Sequence, residues 1–370
     1  MKGARALLNG NLAQGFLSED PERLIGGGTQ YLAISTPGDR LQLDPSVQPL
    51  LADAAAHLRR CGLNPTNEIV WTQDAVPLLP GESYVPCMFD STRAPQGVMD
   101  QEWARNWQQV IDLAAMKSEF PGVMEEWGFS GLIPKSLVFR PGDDVVIPLN
   151  IRPVWVKRTF ETSGGVNVEG PLDGAALDAV IHSFLQRGEP FQVQQDVPGD
   201  DRSNQYWAAP WDGALAFLGS TKQAVIRGHH AGNESSKDDW GPLTHAIAQM
   251  LVALGLRGFF GIDFRVDGLT GRVTEFNLRV NGSSVPEYLR WLFGLKRVFL
   301  IRETPVNPKL QFSQVFDRLQ DAGLEFNPTT GGVMVYLFGW FLTGHTLGIS
   351  IYGDDPQPRY DEVSRLLLLS

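Results

Sequence analysis

Cysteine is almost absent from this chain of 370 residues, which has only Cys61 and Cys87. Two distant thiols are too few for a four-thiolate zinc site, a disulfide framework or an iron–sulfur cluster, and both read as reduced and unpaired in a cytoplasm. Positive charge is in deficit, with 31 Lys and Arg against 42 Asp and Glu and a formal net charge of −11. A surface dedicated to nucleic acid or anionic lipid needs a net basic footprint, so neither partner is expected, although a local basic pocket stays open. Long apolar runs are missing too. The segment after Lys2 and Arg5 is broken by Asn9, Gly10 and Asn11, so it reads as no secretory leader. Residues 333–342 fall far short of the roughly 20 residues of a membrane helix and read as a buried strand. Internal repeats and a G-x-S-x-G nucleophile motif are also lacking. The Gly26-Gly27-Gly28 triplet has neither phosphate-loop spacing and reads as a flexible turn.

The length and ordinary globular composition predict two to three domains, each with its own core. Early in the chain, residues 30–35 are expected as a strand, 49–61 as a helix ending at Gly62, 69–71 as a strand and 77–86 as a loop, which together suit an α/β domain. Trp103, Trp107, Val110, Ile111 and Ala114 recur at helical spacing, with the break expected at Pro121-Gly122. Residues 154–156 and 191–197 read as strands, with a loop over 198–201.

The strongest constellation lies in residues 258–266 and 272–277, which read as a hairpin. Alternation puts Glu275 and Asn277 on one strand face, where Asp263 on the partner strand can meet them. Two carboxylates and an amide oxygen are the hard donors that Mg2+ takes while keeping waters and bridging nucleotide phosphates. Arg279 extends the same face with a planar charge suited to phosphoryl or carboxylate oxygens. A solvated hairpin edge is the competing reading. Against it stand Phe259, Phe260, Ile262, Phe264, Val273 and Phe276, whose apolar flanks imply buried acids that would be costly without a cation. A second element is Lys157 on a β-prone run that feeds Ser163-Gly164-Gly165, a fixed cation beside a small-residue lid candidate. Lys117, upstream of a helix, reads by itself as a surface lysine.

In this order the pieces resemble the ATP-grasp superfamily over about residues 117–284. The resemblance implies an α/β (α+β) architecture: an amino-terminal α/β domain at 1–112, a central lid-bearing ATP-grasp subdomain at 113–192 and a carboxyl-terminal lobe with the magnesium hairpin at 193–370. It implies that Lys117 and Lys157 contact the phosphates of ATP and that Ser163, Gly164 and Gly165 close over them. Asp263, Glu275 and Asn277 would hold Mg2+, with Mn2+ able to substitute, and Arg279 together with Lys157 would serve catalysis at the reacting carboxylate. Gln194-Gln195-Asp196-Val197 looks like the family's adenine strand, which usually carries a Glu; with glutamines here, backbone groups and an amide are expected to hold the base. The Lys157-to-Asn167 run and Asn277-Leu278-Arg279-Val280-Asn281-Gly282-Ser283-Ser284 look most like stand-alone natural-product peptide ligases of the pheganomycin-pathway type.

The function this implies is an ATP-dependent, ADP-producing carboxylate–amine ligase working through an acyl phosphate, a species that hydrolyses readily and therefore needs a water-excluding lid. Its partners would be an amino acid or peptide carboxylate and an amine; transfer to the thiol of an acyl carrier protein and an inactive nucleotide-binding regulator are the alternatives. Lys222, Arg227, His229 and His230 could meet substrate or phosphate, or be solvated edge charges, and Asn281 and Ser283 are further substrate candidates. The acidic charge suits a monomer as well as an oligomer.

Overall fold

The computed structural model of the protein describes residues 5–10, 26–86, 97–114, 116–159, 168–226, 229–296, 298–354 and 356–369. In the first sheet, β1 (Ala6–Asn9), β2 (Arg40–Leu43), β3 (Glu68–Trp71) and β4 (Ser83–Pro86) run parallel in the order β3-β2-β1-β4. Parallel strands are covered on both faces, and the ALLN sequence of β1 is buried throughout. Two expectations fail in this region. Residues 30–35 fall mostly within a buried 3-10 helix, Gly28–Ala33, and the expected loop at 77–86 supplies β4. The glycine triplet is a packing device: a Cβ on Gly28 would lie 1.5 Å from the Gly10 carbonyl oxygen, and one on Gly26 would lie 2.2 Å from Trp340 Cδ1. The helical stretch at 101–127 is two helices, Glu102–Ala114 and Phe120–Glu126, with Pro121 and Gly122 inside the second; proline is tolerated in a first turn, where its missing N–H costs nothing.

The second sheet is antiparallel, with β5 (Ser136–Phe139), β6 (Val154–Arg158), β7 (Val168–Leu172) and β8 (Phe191–Gln195) in the order β5-β8-β6-β7. One face buries Val154, Val156, Phe191 and Val193 against Leu177, Ile181 and Phe184 of the helix Gly174–Arg187, which stops at Gly188 in the left-handed region. The alternate residues Trp155, Lys157, Gln192 and Gln194 share the opposite face.

The third sheet has eight strands: β9 (Asp200–Ala208), β10 (Leu215–Ile226), β11 (His229–Ser235), β12 (Gly258–Asp267), β13 (Thr270–Asn277), β14 (Val298–Pro305), β15 (Gly332–Leu337) and β16 (Thr346–Tyr352). Its order is β13-β12-β9-β10-β11-β14-β16-β15. β9 starts at Asp200, inside the span expected as a loop. Among the described residues no helix is long and apolar enough to cross a membrane.

One hydrophobic core joins the two ends of the chain, packing Leu8, Tyr31, Leu41 and Leu58 with Val333, Val335, Ile349 and Leu367. A buried polar latch pins this joint. His57 Nε2 accepts the Val335 N–H at 2.9 Å, which leaves the proton on Nδ1 to be donated to Glu325 Oε1 at 2.7 Å. Arg60 binds both oxygens of the same carboxylate. His57, Cys61 and Glu325 place ligand atoms within 4.8 Å of one another. The Val335 N–H nevertheless occupies the imidazole lone pair, so the triad serves as a pin and not as a metal centre.

Burial lowers the His57 pKa more than Glu325 raises it, so His57 is neutral when folded. The unfolded chain therefore binds the extra proton as pH falls below the ordinary histidine value of about 6.5, and that part of the stability, full above this pH, is lost below it. Glu325, held down to about 2 by His57 and Arg60 against the opposing effect of burial, gives up its own contribution only as pH falls from the ordinary glutamate range towards 2. Thermal melts from pH 7.5 to 5 are expected to show stability falling with acidification and a shallower slope for His57→Gln. Equal slopes would refute the latch.

Candidate active site

β12 and β13 pair with Asp263 opposite Glu275 and Gly261 opposite Asn277. Phe260, Ile262 and Phe264 point into the core, which leaves Gly261, Asp263 and Arg265 on the other face. On β13, Val273 and Phe276 are both buried although three apart, which strict alternation forbids. A bulge reconciles them: the register steps from Asp263↔Glu275 to Phe264↔Val273, and Thr274 is the extra residue. The Thr274 carbonyl, freed from the ladder, accepts from Lys157 Nζ at 3.4 Å and Gln194 Nε2 at 3.3 Å, both on the small sheet.

The same hairpin gathers charge across the cleft. Glu275 Oε2 lies 3.4 Å from Lys117 Nζ and 3.7 Å from Lys157 Nζ. Lys117 is steered there because its backbone N–H bonds the Thr159 carbonyl, just past β6, at 3.2 Å. Burial alone would raise the Glu275 carboxyl, but Lys117, Lys157 and Arg279 outweigh it and hold Glu275 ionised. Burial lowers the Lys157 ammonium, with Glu275 opposing. Asp263 is pushed the other way, above the usual carboxylate range, first by burial and then by the Glu275 charge. Its Oδ1 accepts from Ser203 Oγ at 2.5 Å and its Oδ2 from Asn277 Nδ2 at 2.7 Å. Behind Ser203 stand Gln205, whose Nε2 donates to the Ser203 hydroxyl at 2.8 Å, and Ser284, whose hydroxyl donates to Gln205 Oε1 at 3.1 Å. Directly opposed carboxylates destabilise a ladder, so the converging acids and the Asn277 amide fit a hard divalent cation that would relieve the repulsion.

The connection from β8 to β9 closes one end of the cleft. Backbone N–H groups of Gln195 and Asp196 are taken by the Lys135 and Pro153 carbonyls at 2.8 Å each. Of the groups expected to hold a base, the backbone N–H groups of Gln195 and Asp196 are thus committed within the protein, and the Gln194 amide nitrogen is engaged by Thr274. The Asp196 carboxylate receives Trp155 Nε1 and Arg265 Nη1, each at 2.7 Å. Ser163, Gly164, Gly165 and Arg227 lie outside the described residues.

This arrangement, with its parallel amino-terminal sheet and a charged cleft between two antiparallel sheets, recurs in solved structures. N5-carboxyaminoimidazole synthetase from Staphylococcus aureus, complexed with ADP, matches at a TM-score of 0.56 with 12% identity over 99% of this chain and 97% of that one. The chain has the ATP-grasp fold. N5-carboxyaminoimidazole ribonucleotide synthetase from Thermus thermophilus matches at 0.52 with 15% identity, covering 99% and 98% of the two chains. Biotin carboxylase from Campylobacter jejuni, in a β-γ-ATP complex, matches at 0.52 with 13% identity over 99% and 92%. No protein-family model matches the sequence, and no curated protein matches it.

Within the ATP-grasp framework the structure brings Lys117, Lys157, Gln194, Asp263, Glu275 and Asn277 around one hairpin face. Arg279 does not extend the strand as expected: β13 ends at Asn277, the Arg279 N–H bonds the Asn277 carbonyl at 2.8 Å, and its charge acts on both acids from beyond the strand end. Lys222 is separate, half exposed and paired with Asp200 at 3.0 Å, a solvated arrangement worth little energetically. Asn281 and Ser283 shape the turn after β13: the Ser283 N–H donates to Asn281 Oδ1 at 3.0 Å, and the buried Ser283 hydroxyl accepts from Asn233 Nδ2. Tyr206 and Trp207 are buried core, whereas Trp211 is exposed. Sequence reading passed over Ser203, Gln205 and Arg265. The first two lie in an unbroken polar run, Ser203-Asn204-Gln205, ahead of the apolar end of the strand, and that run gave no periodic signal.

Because ionised Asp263 faces Glu275, Asp263→Asn is expected to stabilise the ligand-free protein at pH 8 by about 1 kcal/mol, since one of two opposed charges disappears. The same substitution should abolish any magnesium-dependent gain in melting temperature. A fall in ligand-free stability would contradict this account of the pair.

Proposed function

We propose that the protein is an ATP-dependent carboxylate–amine ligase that forms an amide bond and releases ADP and phosphate. The observation that carries this reading is the juxtaposition of Lys117 and Lys157 with Glu275, Asp263, Asn277 and Arg279 in one cleft. Cations from one side and hard oxygen donors from the other suit a magnesium–polyphosphate ligand. The ADP and β-γ-ATP complexes of the fold's solved relatives support it.

Asp263, Glu275 and the Asn277 amide oxygen would hold Mg2+, or Mn2+ in its place, which supplies charge neutralisation at the phosphates. Lys157, buried and fixed by Thr274 and Glu275, places its ammonium where charge develops on phosphoryl oxygens, so stabilisation comes from position rather than from covalent chemistry. Arg279, whose guanidinium acts on both hairpin acids, is available to orient the substrate carboxylate. One carboxylate oxygen attacks the γ-phosphorus while the bond to the ADP oxygen breaks. An amine then attacks the acyl carbon, phosphate leaves with the C–O bond electrons, and the amine loses a proton. Ser163, Gly164 and Gly165 would cover the acyl phosphate against water. For the acid we favour an amino acid or peptide, and for the setting natural-product synthesis of the pheganomycin type. Both rest on the Lys157-to-Asn167 and Asn277-to-Ser284 runs.

ADP and phosphate release should require both an acid and an amine from a panel of amino acids, peptides and amines. Lys157→Ala and Glu275→Gln are each expected to lower it by about 100-fold or more, the scale seen when one preorganised electrostatic group is removed. Release of AMP and pyrophosphate would refute the acyl-phosphate route. Turnover with a pantetheine-bearing carrier protein in place of the amine would favour the thiol acceptor.

A further inference from the structure

Three adjacent strands line up a row of polar side chains beside the hairpin acids. In β12, Asp263 lies between Glu275 of β13 and Ser203 of β9, and Gly261 lies between Asn277 and Gln205. Ser203 and Gln205, two residues apart, stand on the face that carries Asp263. A Cβ on Gly261 would collide with Asn281 Nδ2 and come within 3.1 Å of Gln205 Nε2 and 3.2 Å of Ser203 Oγ. Gly261 lies outside the left-handed region, so room and not backbone freedom demands glycine there. The bare backbone lets the turn after β13 fold down onto the row.

The bonds along this row can run in only one direction. The Asn281 backbone N–H can only donate, and it gives its proton to Ser284 Oγ at 3.0 Å, which sends the Ser284 hydroxyl proton to Gln205 Oε1 at 3.1 Å. The Gln205 amide is thereby oriented with its nitrogen on Ser203 Oγ at 2.8 Å, and the Ser203 proton is turned to Asp263 Oδ1 at 2.5 Å. Gln205 and Ser284 expose no surface, so water offers them no alternative partner. Asn277 Nδ2 donates to Oδ2, which fixes the other carboxylate oxygen.

Resting on the reading of Asp263, Glu275 and Asn277 as a metal site, we infer that Gln205 is a positioning residue for that metal. Through Ser203 it holds Asp263 as an acceptor in one orientation, and through Ser284 it ties that orientation to the turn carrying Asn281 and Ser283. The metal carboxylate and the turn with the substrate candidates are thus held at a set separation, which is what positioning two reactants requires. None of the three relay side chains needs to touch the metal or the substrate to do this.

The test is calorimetric titration of the full chain with ADP, once in Mn2+ and once in a chelator, the ratio of the two affinities being the metal-dependent gain. Gln205→Met and Ser203→Ala are each expected to cut that gain by roughly 10-fold or more, the scale seen when a group orienting a metal ligand is removed, with chelator-state binding unchanged. Combining the two should cost little beyond either alone, because both break the same chain. Ser203→Thr, which keeps the hydroxyl, should retain the gain. Gly261→Ala removes no polar group yet displaces Asn281, and should reproduce the loss. Ser220→Ala, which cuts a buried bond to Asn204 on the other face of β9, should lower the melting temperature and leave the gain intact. A gain that survives Gln205→Met and Gly261→Ala, additive losses in the double variant, or an equal loss in Ser220→Ala overturns the relay. Wild-type ADP binding that is the same in Mn2+ and chelator overturns the metal site itself, and absence of ADP binding in both overturns the polyphosphate site.

Discussion

The centre of the molecule depends on the carboxylate of Glu275. A lysine as deeply buried as Lys157 loses its hydration, and only a fixed negative partner keeps its charge tolerable. Glu275 provides that partner and draws Lys117 to the same oxygen. Those three charges therefore tie together segments far apart in sequence, and removing one alone would leave an uncompensated buried charge. Asp263, by contrast, has its oxygens bonded by neutral donors, Ser203 and the Asn277 amide, and Arg279 offsets part of its charge. Two opposed carboxylates, one with its pKa raised by burial and by its neighbour's charge, favour the arrival of further positive charge between them.

The bulge at Thr274 makes this geometry possible. Without the extra residue, Val273 and Glu275 would share a face, and the strand could bury its hydrophobic residue or present its acid, but not both. The same irregularity releases the one carbonyl that Lys157 and Gln194 use to grip the hairpin.

Much of this was legible in the sequence. The spacing of Asp263, Glu275 and Asn277 predicts a shared face from strand periodicity, and the odd spacing of Val273 and Phe276 was a readable sign of a bulge. The helix expected over 49–61 is likewise found, as a 3-10 turn at Pro45–Leu50 running into an α-helix at Leu51–Arg60. What stayed hidden was set by distant partners. The Gly26 triplet resembles a mobile turn until Trp340 and Gly10 are seen occupying the space a side chain would need. Residues 30–35 have a strand-like composition, yet their position against the carboxyl-terminal strands imposes a 3-10 turn. Arg265 and Ser203 look like ordinary strand polar residues, because the groups they serve, Asp196 and Asp263, come together only when the sheets assemble.

The core shared by the chain's two ends bears on how the molecule comes into being. Leu8, Tyr31 and Leu58 share one core with Val333, Ile349 and Leu367, residues synthesised long after them. As the chain leaves the ribosome, the parallel sheet emerges with one flank bare and stays so until β15 and β16 have followed it, a closure of very high contact order. The His57 latch, too, engages only then, since Glu325 and Val335 belong to the same late segment. Of the three described sheets, the parallel one is thus synthesised before the others and completed only with the last of their strands.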